Sequence, residues 1–119
     1  TLRDFCREIQ YAYAAADLAV CRSGASTLTE LGYYEIPSVL IPYPFAAEDH
    51  QTSNARIFSD PGAAVLWRQE ELNEQNFSGK IIELMNDRER LVKMREAAAR
   101  LAVPDASARV CEVIAASLA

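Results

Sequence analysis

Three short apolar runs, separated by segments of helical character, constrain the fold of this chain more than any other feature. They lie at residues 18–21, 38–41 and 63–66. A continuous apolar run of this length is typical of a strand buried on both faces, as in a parallel sheet. Strands that alternate with helices predict parallel pairing through right-handed crossover connections. We therefore expect an α/β fold, with a parallel sheet in a three-layer α/β/α arrangement.

Six segments carry the spacing or composition of helices. In the first, Phe5, Ile9 and Tyr13 recur at helical spacing within an alanine-rich stretch. Asp49 is placed to cap the third helix at its start. The predicted helices cover residues 5–16, about 26–34, 50 to about 59, 71 to about 85, 87 to about 102, and 105–119.

The predicted sheet is narrow for a fold of this kind. Doubly wound domains usually have five or six strands, whereas this chain supplies three and opens on a helix. We therefore expect residues 1–119 to form one partial domain. It is either the back half of a larger domain or a subunit whose sheet is completed by another chain. An unpaired sheet edge also favours self-association.

Charge and hydropathy argue against two classes of partner. The chain has 12 Lys and Arg against 17 Asp and Glu, a net charge of −5, so a nucleic-acid-binding face is not expected. No run approaches the roughly 20 apolar residues that span a bilayer, and no signal peptide is visible. These features predict a cytoplasmic protein.

The cysteines do not form a metal-binding or disulfide pattern. Cys6, Cys21 and Cys111 are odd in number and widely spaced, without a Cys-x-x-Cys pair. We expect them to be reduced and mostly buried. Because the chain has a single His, a zinc site built from protein ligands alone is not expected. The sequence thus predicts no metal and no cofactor.

The segment from Cys21 to Glu30 carries the first candidate site. It runs from a predicted strand through a Ser-Gly turn into a helix. A helix start presents backbone N–H groups that suit a phosphate, and Glu30 could accept from sugar hydroxyls nearby. A nucleotide sugar would need both features. The alternative is structural: Thr27 and Glu30 have capping-box spacing, and Gly24 can serve only as a turn residue.

A second candidate segment follows the second predicted strand. An aromatic loop at residues 42–48 leads into a helix start that contains His50, Gln51 and Asn54. The Gln51 amide can both donate and accept, which suits vicinal sugar hydroxyls, whereas the alternative is a polar, capped helix start. A general-base role for His50 is the less favoured interpretation, because no second catalytic residue is evident. Both connections should lie at the carboxyl edge of the sheet, where such folds bind ligands.

In this order and spacing, the motifs resemble the MurG family of bacterial glycosyltransferases. The family moves GlcNAc from UDP-GlcNAc onto a lipid-linked muramyl-pentapeptide in peptidoglycan synthesis. The resemblance implies a GT-B enzyme, of which this chain is similar to the C-terminal, Rossmann-like donor-binding domain. The residues that carry it are Tyr13-Ala14-Ala15-Ala16-Asp17-Leu18, Cys21-Arg22-Ser23-Gly24-Ala25 with Thr27 and Glu30, Pro37, Ile41-Pro42-Tyr43-Pro44, and Asp49-His50-Gln51 with Asn54-Ala55.

The resemblance also implies roles for individual residues. The backbone of residues 25–27, with the Thr27 hydroxyl, would hold the diphosphate, Glu30 would accept from the ribose, and Gln51 would bind the GlcNAc ring. Cys6 would lie at the uracil. The whole implied UDP-GlcNAc site consists of Cys6, Gly24, Ala25, Ser26, Thr27, Leu28, Thr29, Glu30, His50, Gln51 and Asn54.

The family's acceptor site, glycine-rich phosphate loops and catalytic base have no counterpart in these residues. The resemblance therefore implies an inverting transferase with no catalytic residue in this chain, which alone would be inactive. The complete enzyme would act as a peripheral protein at the inner face of the plasma membrane. Two alternatives stay open: a non-catalytic nucleotide-sugar-binding subunit of a bipartite GlcNAc transferase, and a sugar-nucleotide 2-epimerase of the same fold.

Overall fold

The computed structural model describes residues 1–45 and 49–119. Residues 46–48 of the predicted loop at 42–48 lie outside this range. The elements in chain order are α1 (Ile9–Ala15), β1 (Ala19–Cys21), α2 (Ala25–Tyr33), β2 (Ser38–Leu40), α3 (His50–Ser59), β3 (Ala64–Leu66), a 3-10 turn (Gln69–Glu71), α4 (Glu74–Asn86), α5 (Arg88–Leu101) and α6 (Ala106–Leu118).

The three strands form one parallel sheet in the order β1-β2-β3. Val20 pairs with Val39, and Val39 pairs with Val65. The central strand β2 is buried along its whole length, which explains why its sequence is apolar without alternation. The predicted parallel α/β fold is thus confirmed, and each strand lies within one residue of its predicted bounds.

The core lies on both faces of the sheet because successive strand residues point to opposite sides. Leu40 belongs to the larger cluster and Val39 to the smaller one. The larger cluster is built from Leu28, Leu31, Ile36, Leu40, Ala55, Phe58, Ala63, Ala64, Ala97 and Ala98. Around Val39, the smaller cluster contains Leu84 and Met94, with Leu91 packed against it. Helix α2, which carries the first candidate site, is therefore anchored through its buried leucines.

The first helix is shorter than predicted. It begins at Ile9 rather than Phe5, because Phe5 is 78% exposed and has no core to pack against. Neither α1 nor α6 contains a fully buried residue. Val20, on the outer strand β1, is 44% exposed. The periphery of the described fold therefore buries little apolar surface.

The fourth helix also begins later than predicted, at Glu74 instead of residue 71. The Asn73 side chain accepts from the backbone N–H groups of Gln75 and Asn76, at 3.0 and 2.9 Å, and the Asn76 side chain accepts from the Asn73 N–H. This capping box satisfies donors that the helix itself cannot, so it sets the start of α4.

The prediction that the cysteines are mostly buried is wrong. All three are free thiols, but Cys111 is exposed, and Cys6 and Cys21 are half-buried. The reason for Cys111 is that α6 carries no buried residue, so its apolar side chains do not reach the core.

We expect Asn73→Ala to lower the free energy of unfolding by about 0.5–2 kcal/mol, because two backbone donors at the start of α4 lose their acceptor. Urea denaturation measures the change. Gln75→Ala, at an exposed position of the same helix, serves as the control and should change stability by no more than about 0.5 kcal/mol. Equal stability of the Asn73 variant and the unsubstituted protein would contradict this account of the helix start.

Candidate functional site

The start of α2 is not capped by any described side chain. Gly24 precedes the helix in an extended conformation, with φ −67° and ψ 149°. The first helical hydrogen bond joins the Leu28 N–H to the Gly24 carbonyl at 3.1 Å. The N–H groups of Ala25, Ser26 and Thr27 therefore have no acceptor within the described residues. Such a helix start carries partial positive charge and can bind an anion.

The capping box considered for this helix is not formed. Thr27 is the third residue of α2 rather than its cap, so its hydroxyl is not placed to accept from the helix N–H groups. The Glu30 carboxylate is engaged instead by Tyr13 of α1. Of the two interpretations of this segment, the capping box is thus excluded, and the first-turn N–H groups remain accessible.

Glu30 lies on the second turn of α2, with an exposed side chain. The Tyr13 hydroxyl donates a hydrogen bond of 2.8 Å to Glu30 Oε2. The Tyr13 ring also contacts the Tyr34 ring, with 5.5 Å between the centroids. Burial raises the pKa of Tyr13 to about 12, and its hydrogen bond and charge interaction with Glu30 act in the same direction. The phenol therefore stays a hydrogen-bond donor to this carboxylate.

The two candidate segments meet, as the parallel sheet requires. The Ser23 hydroxyl donates to the Gln51 carbonyl at 2.6 Å, and Asn54 Nδ2 donates to the Ser23 carbonyl at 3.1 Å. Ser23 is fully buried, so these bonds are sheltered from water. They join the turn before α2 to the first two turns of α3. The predicted neighbourhood of the two connections is confirmed.

The Gln51 side chain is oriented by the loop that follows β2. Its Oε1 accepts from the Tyr43 backbone N–H at 2.9 Å. Because a backbone N–H can only donate, this contact identifies the oxygen end of the amide and leaves the Nε2 group on the other side. One lone pair of the Gln51 oxygen is thus already used, and its Nε2 group points away from the Tyr43 N–H.

Arg22 joins the carboxyl ends of all three strands. Its guanidinium donates to the carbonyls of Ile41 and Pro42, both at 3.2 Å, and to Gln69 Oε1 at 2.7 Å. It also lies over the Tyr43 ring, 5.6 Å from the centroid. Sequence reasoning assigned Arg22 no role. The available signal was its position directly after β1, on the edge where Gln69 follows β3.

The remaining predicted residues occupy varied places. Leu28 has its side chain in the core, so only its backbone borders the helix start. The Thr29 hydroxyl donates to the Ala25 carbonyl at 3.0 Å. Exposed His50 is the first residue of α3, and half-buried Cys6 lies before α1. Their ligand roles stay predictions. Asp49 precedes α3 as expected, but its carboxylate accepts from the Thr52 hydroxyl at 2.6 Å and makes no cap hydrogen bond.

Within residues 1–45 and 49–119, His, Cys, Asp and Glu form no group of three or more that could hold a metal ion. The helices of these same ranges include none with the length and hydropathy needed to cross a membrane.

The parallel sheet, with polar groups gathered at the carboxyl ends of its strands, defines a Rossmann-like α/β domain. The chain belongs to the glycosyltransferase family 28 C-terminal domain family, whose model matches residues 1–110. The crystal structure of Acinetobacter baumannii MurG is similar to this chain with a TM-score of 0.85 and 35% identity. That match covers 92% of this chain and 31% of the MurG chain. The resemblance and the fold class inferred from the sequence are both confirmed.

Curated relatives show the same partial coverage. The chain is 44% identical over 99 residues to the UDP-N-acetylglucosamine–N-acetylmuramyl-(pentapeptide) pyrophosphoryl-undecaprenol N-acetylglucosamine transferase of Gloeothece citriformis. It is 50% identical over 96 residues to the protein of the same name from Chlorobium luteolum. These matches cover 83% and 81% of this chain, but 28% and 26% of the relatives. The chain therefore spans less than a third of their length.

We expect Arg22→Ala to loosen residues 41–43, which follow β2 and contact the guanidinium. The free energy of unfolding should fall by about 1–3 kcal/mol, because charge-assisted hydrogen bonds to three acceptors are lost. The Tyr43 N–H should exchange with solvent faster, as followed by NMR. Arg68→Ala removes an exposed Arg whose ion pair with Glu70 spans 3.8 Å, and it should leave that exchange rate unchanged. An unchanged exchange rate of the Tyr43 N–H in the Arg22 variant would show that Arg22 does not hold the residues after β2 in place.

Cys21 should make the chain less stable at high pH. Burial raises the pKa of its thiol from 9.0 to about 11. Above pH 9 the unfolded chain loses this proton while the folded chain keeps it, so unfolding becomes easier as pH rises toward 11. One such group contributes a slope of up to about 1.4 kcal/mol per pH unit.

Urea denaturation between pH 8 and about pH 11 tests this dependence. We expect Cys21→Ala to unfold with a shallower loss of stability over that interval than the unsubstituted chain. The control, Cys111→Ala, changes an exposed thiol and should keep the original slope. Identical slopes for all three proteins would show that burial of Cys21 does not govern alkaline stability.

Proposed function

We propose that this chain forms the donor-binding part of a UDP-GlcNAc-dependent glycosyltransferase. The complete protein would move GlcNAc onto a lipid-linked muramyl-pentapeptide during peptidoglycan precursor synthesis. One observation carries the proposal: the uncapped start of α2 is followed one turn later by Glu30 and preceded by Ser23, whose hydroxyl donates to the Gln51 carbonyl. An anion site with a carboxylate on one side and an amide on the other matches the parts of a nucleotide sugar. The names of the relatives support the same activity.

The diphosphate would bind at the first turn of α2. The N–H groups of Ala25, Ser26 and Thr27 are the donors, and the Thr27 hydroxyl adds one more. Gly24 lets the phosphate approach the backbone, since it carries no side chain at the helix start. The same N–H groups would stabilise the negative charge that develops on UDP as it leaves.

Glu30 and Gln51 would recognise the two sugars. The exposed carboxylate of Glu30 can accept from the ribose hydroxyls, and the amide of Gln51 can donate to the GlcNAc ring. His50 and Asn54 are four residues apart, on the same face of α3, and would border the sugar. We assign Cys6 to the uracil side through its backbone, while Leu28 and Thr29, the next residues of α2, would border the phosphate site.

The chemistry would be a displacement with inversion. The acceptor hydroxyl attacks the anomeric carbon, its proton passes to a base, and the bond from that carbon to the diphosphate breaks. We place the base and the acceptor site outside residues 1–119, in the part of the complete protein that corresponds to the rest of the relatives' length. Residues 1–119 would then be one partial domain, and additional strands would pair with the exposed side of β1. With a lipid-linked acceptor, the enzyme would work at the inner face of the plasma membrane.

The bipartite alternative, a separate donor-binding subunit, is less well supported. Each similar protein carries the name of a transferase and is more than three times as long as the region matched in it.

We expect Glu30→Ala and Gln51→Ala each to weaken UDP-GlcNAc binding by roughly 1–3 kcal/mol, the range for a lost buried hydrogen bond. The two variants should differ in one respect. Glu30→Ala should weaken UDP and UDP-GlcNAc alike, whereas Gln51→Ala should weaken UDP-GlcNAc and leave UDP unchanged. Calorimetric titration of the complete protein measures all four dissociation constants.

Glu83→Ala and Gln75→Ala are matched controls at exposed positions of α4, and both should bind donor normally. Unchanged UDP-GlcNAc binding in both site variants would overturn the proposed function. An effect of Gln51→Ala on UDP that equals its effect on UDP-GlcNAc would overturn the assignment of Gln51 to the sugar.

A further inference from the structure

We propose that Tyr13 is a positioning residue that holds the Glu30 carboxylate in the orientation needed for ribose, so that discrimination between ribose and deoxyribose depends on Tyr13. This inference rests on the proposed function. The observation behind it is the hydrogen bond of 2.8 Å from the Tyr13 hydroxyl to Glu30 Oε2, which joins α1 to α2.

Glu30 needs an external group to define its orientation. Its side chain is exposed and has several freely rotating bonds, so it would otherwise sample many rotamers. Ordering such a side chain on ligand binding lowers affinity. A hydrogen bond to a carboxylate is stronger than one between neutral groups, so the Tyr13 contact selects one rotamer before the ligand arrives.

Tyr13 is itself held by packing. Its ring is half-buried against the larger core cluster and contacts Tyr34, which follows α2 directly. Its phenol stays protonated because the pKa is raised to about 12. The rigid Tyr13 side chain thus orients the flexible Glu30 side chain, and its hydroxyl can donate throughout the neutral pH range.

The contact also leaves Glu30 able to bind a ligand. A carboxylate has two oxygens with about four lone-pair sites in total. The phenol uses one site on Oε2. The remaining sites can accept from two neighbouring hydroxyls of a ribose, which is the arrangement that a pair of vicinal donors requires.

Tyr13→Phe removes the hydroxyl and keeps the ring, so the packing against Tyr34 is retained. Calorimetry on the complete protein compares UDP with 2′,3′-dideoxyuridine diphosphate, which lacks both ribose hydroxyls. We expect the variant to bind UDP roughly three to ten times more weakly and to bind the dideoxy ligand as the unsubstituted protein does. Tyr11→Phe removes a hydroxyl from an exposed position of the same helix and should leave both constants unchanged.

A merely structural role for Tyr13 would weaken both ligands equally, and that result would overturn the inference. The Glu30→Ala variant distinguishes failure of this inference from failure of the proposed function. If Glu30→Ala abolishes the preference for UDP while Tyr13→Phe keeps it, only the role of Tyr13 is wrong. If Glu30→Ala keeps the preference, both the ribose assignment and this inference fail. In the double variant, Tyr13→Phe should add nothing to the effect of Glu30→Ala on UDP binding, because the carboxylate that Tyr13 orients is already absent.

Discussion

The parallel pairing of β2 with both of its neighbours is the constraint on which the rest of the structure depends. Ser38, Val39 and Leu40 are fully buried, and each pairs with a residue of β1 and a residue of β3. Because all three strands run in the same direction, their carboxyl ends meet at one edge. The residues that follow them, Arg22 and Gln69 among them, become neighbours although they are 47 positions apart in the chain. The candidate site is thus a consequence of the pairing direction.

Two helix starts of the described chain differ in how their N–H groups are satisfied. Asn73 caps α4 with its side chain, whereas α2 begins at Gly24 with no side-chain cap. A Ser, Thr, Asn or Asp at the position of Gly24 would stabilise α2 by only roughly a few tenths of a kcal/mol, and its side chain would occupy an N–H group of the first turn. Helix α2 is anchored by its buried leucines without such a cap, and its first-turn N–H groups are compatible with an anion-binding role.

Much of the fold could be predicted from the sequence because its signals are local. Each apolar run identified a strand, and α3 has the predicted bounds. At the candidate site, the errors arose where a contact joins distant parts of the chain. The Thr27 and Glu30 spacing suggested a capping box, but Tyr13, 17 residues before Glu30, takes the carboxylate. In the same way, Gln51 was recognised as polar and suitably placed, whereas its orientation depends on Tyr43 and, through the loop, on Arg22. Residue types could be read from the sequence, but the directions of their side chains could not.

The hydrogen bonds that orient Glu30 and Gln51 indicate what this part of the protein could contribute to the proposed function. Both side chains assigned to the sugars are oriented by hydrogen bonds from within the chain, so part of the entropy of ordering them is lost on folding rather than on binding. The helix start that would neutralise the departing diphosphate is likewise a product of the local fold. Under the proposed function, deprotonation of the acceptor would need a group on the other side of the reacting carbon, and we assign no described residue to that role. Donor recognition and proton removal would therefore be built by different parts of the complete protein, and substitutions here should act on donor affinity and leaving-group stabilisation rather than on the identity of the acceptor.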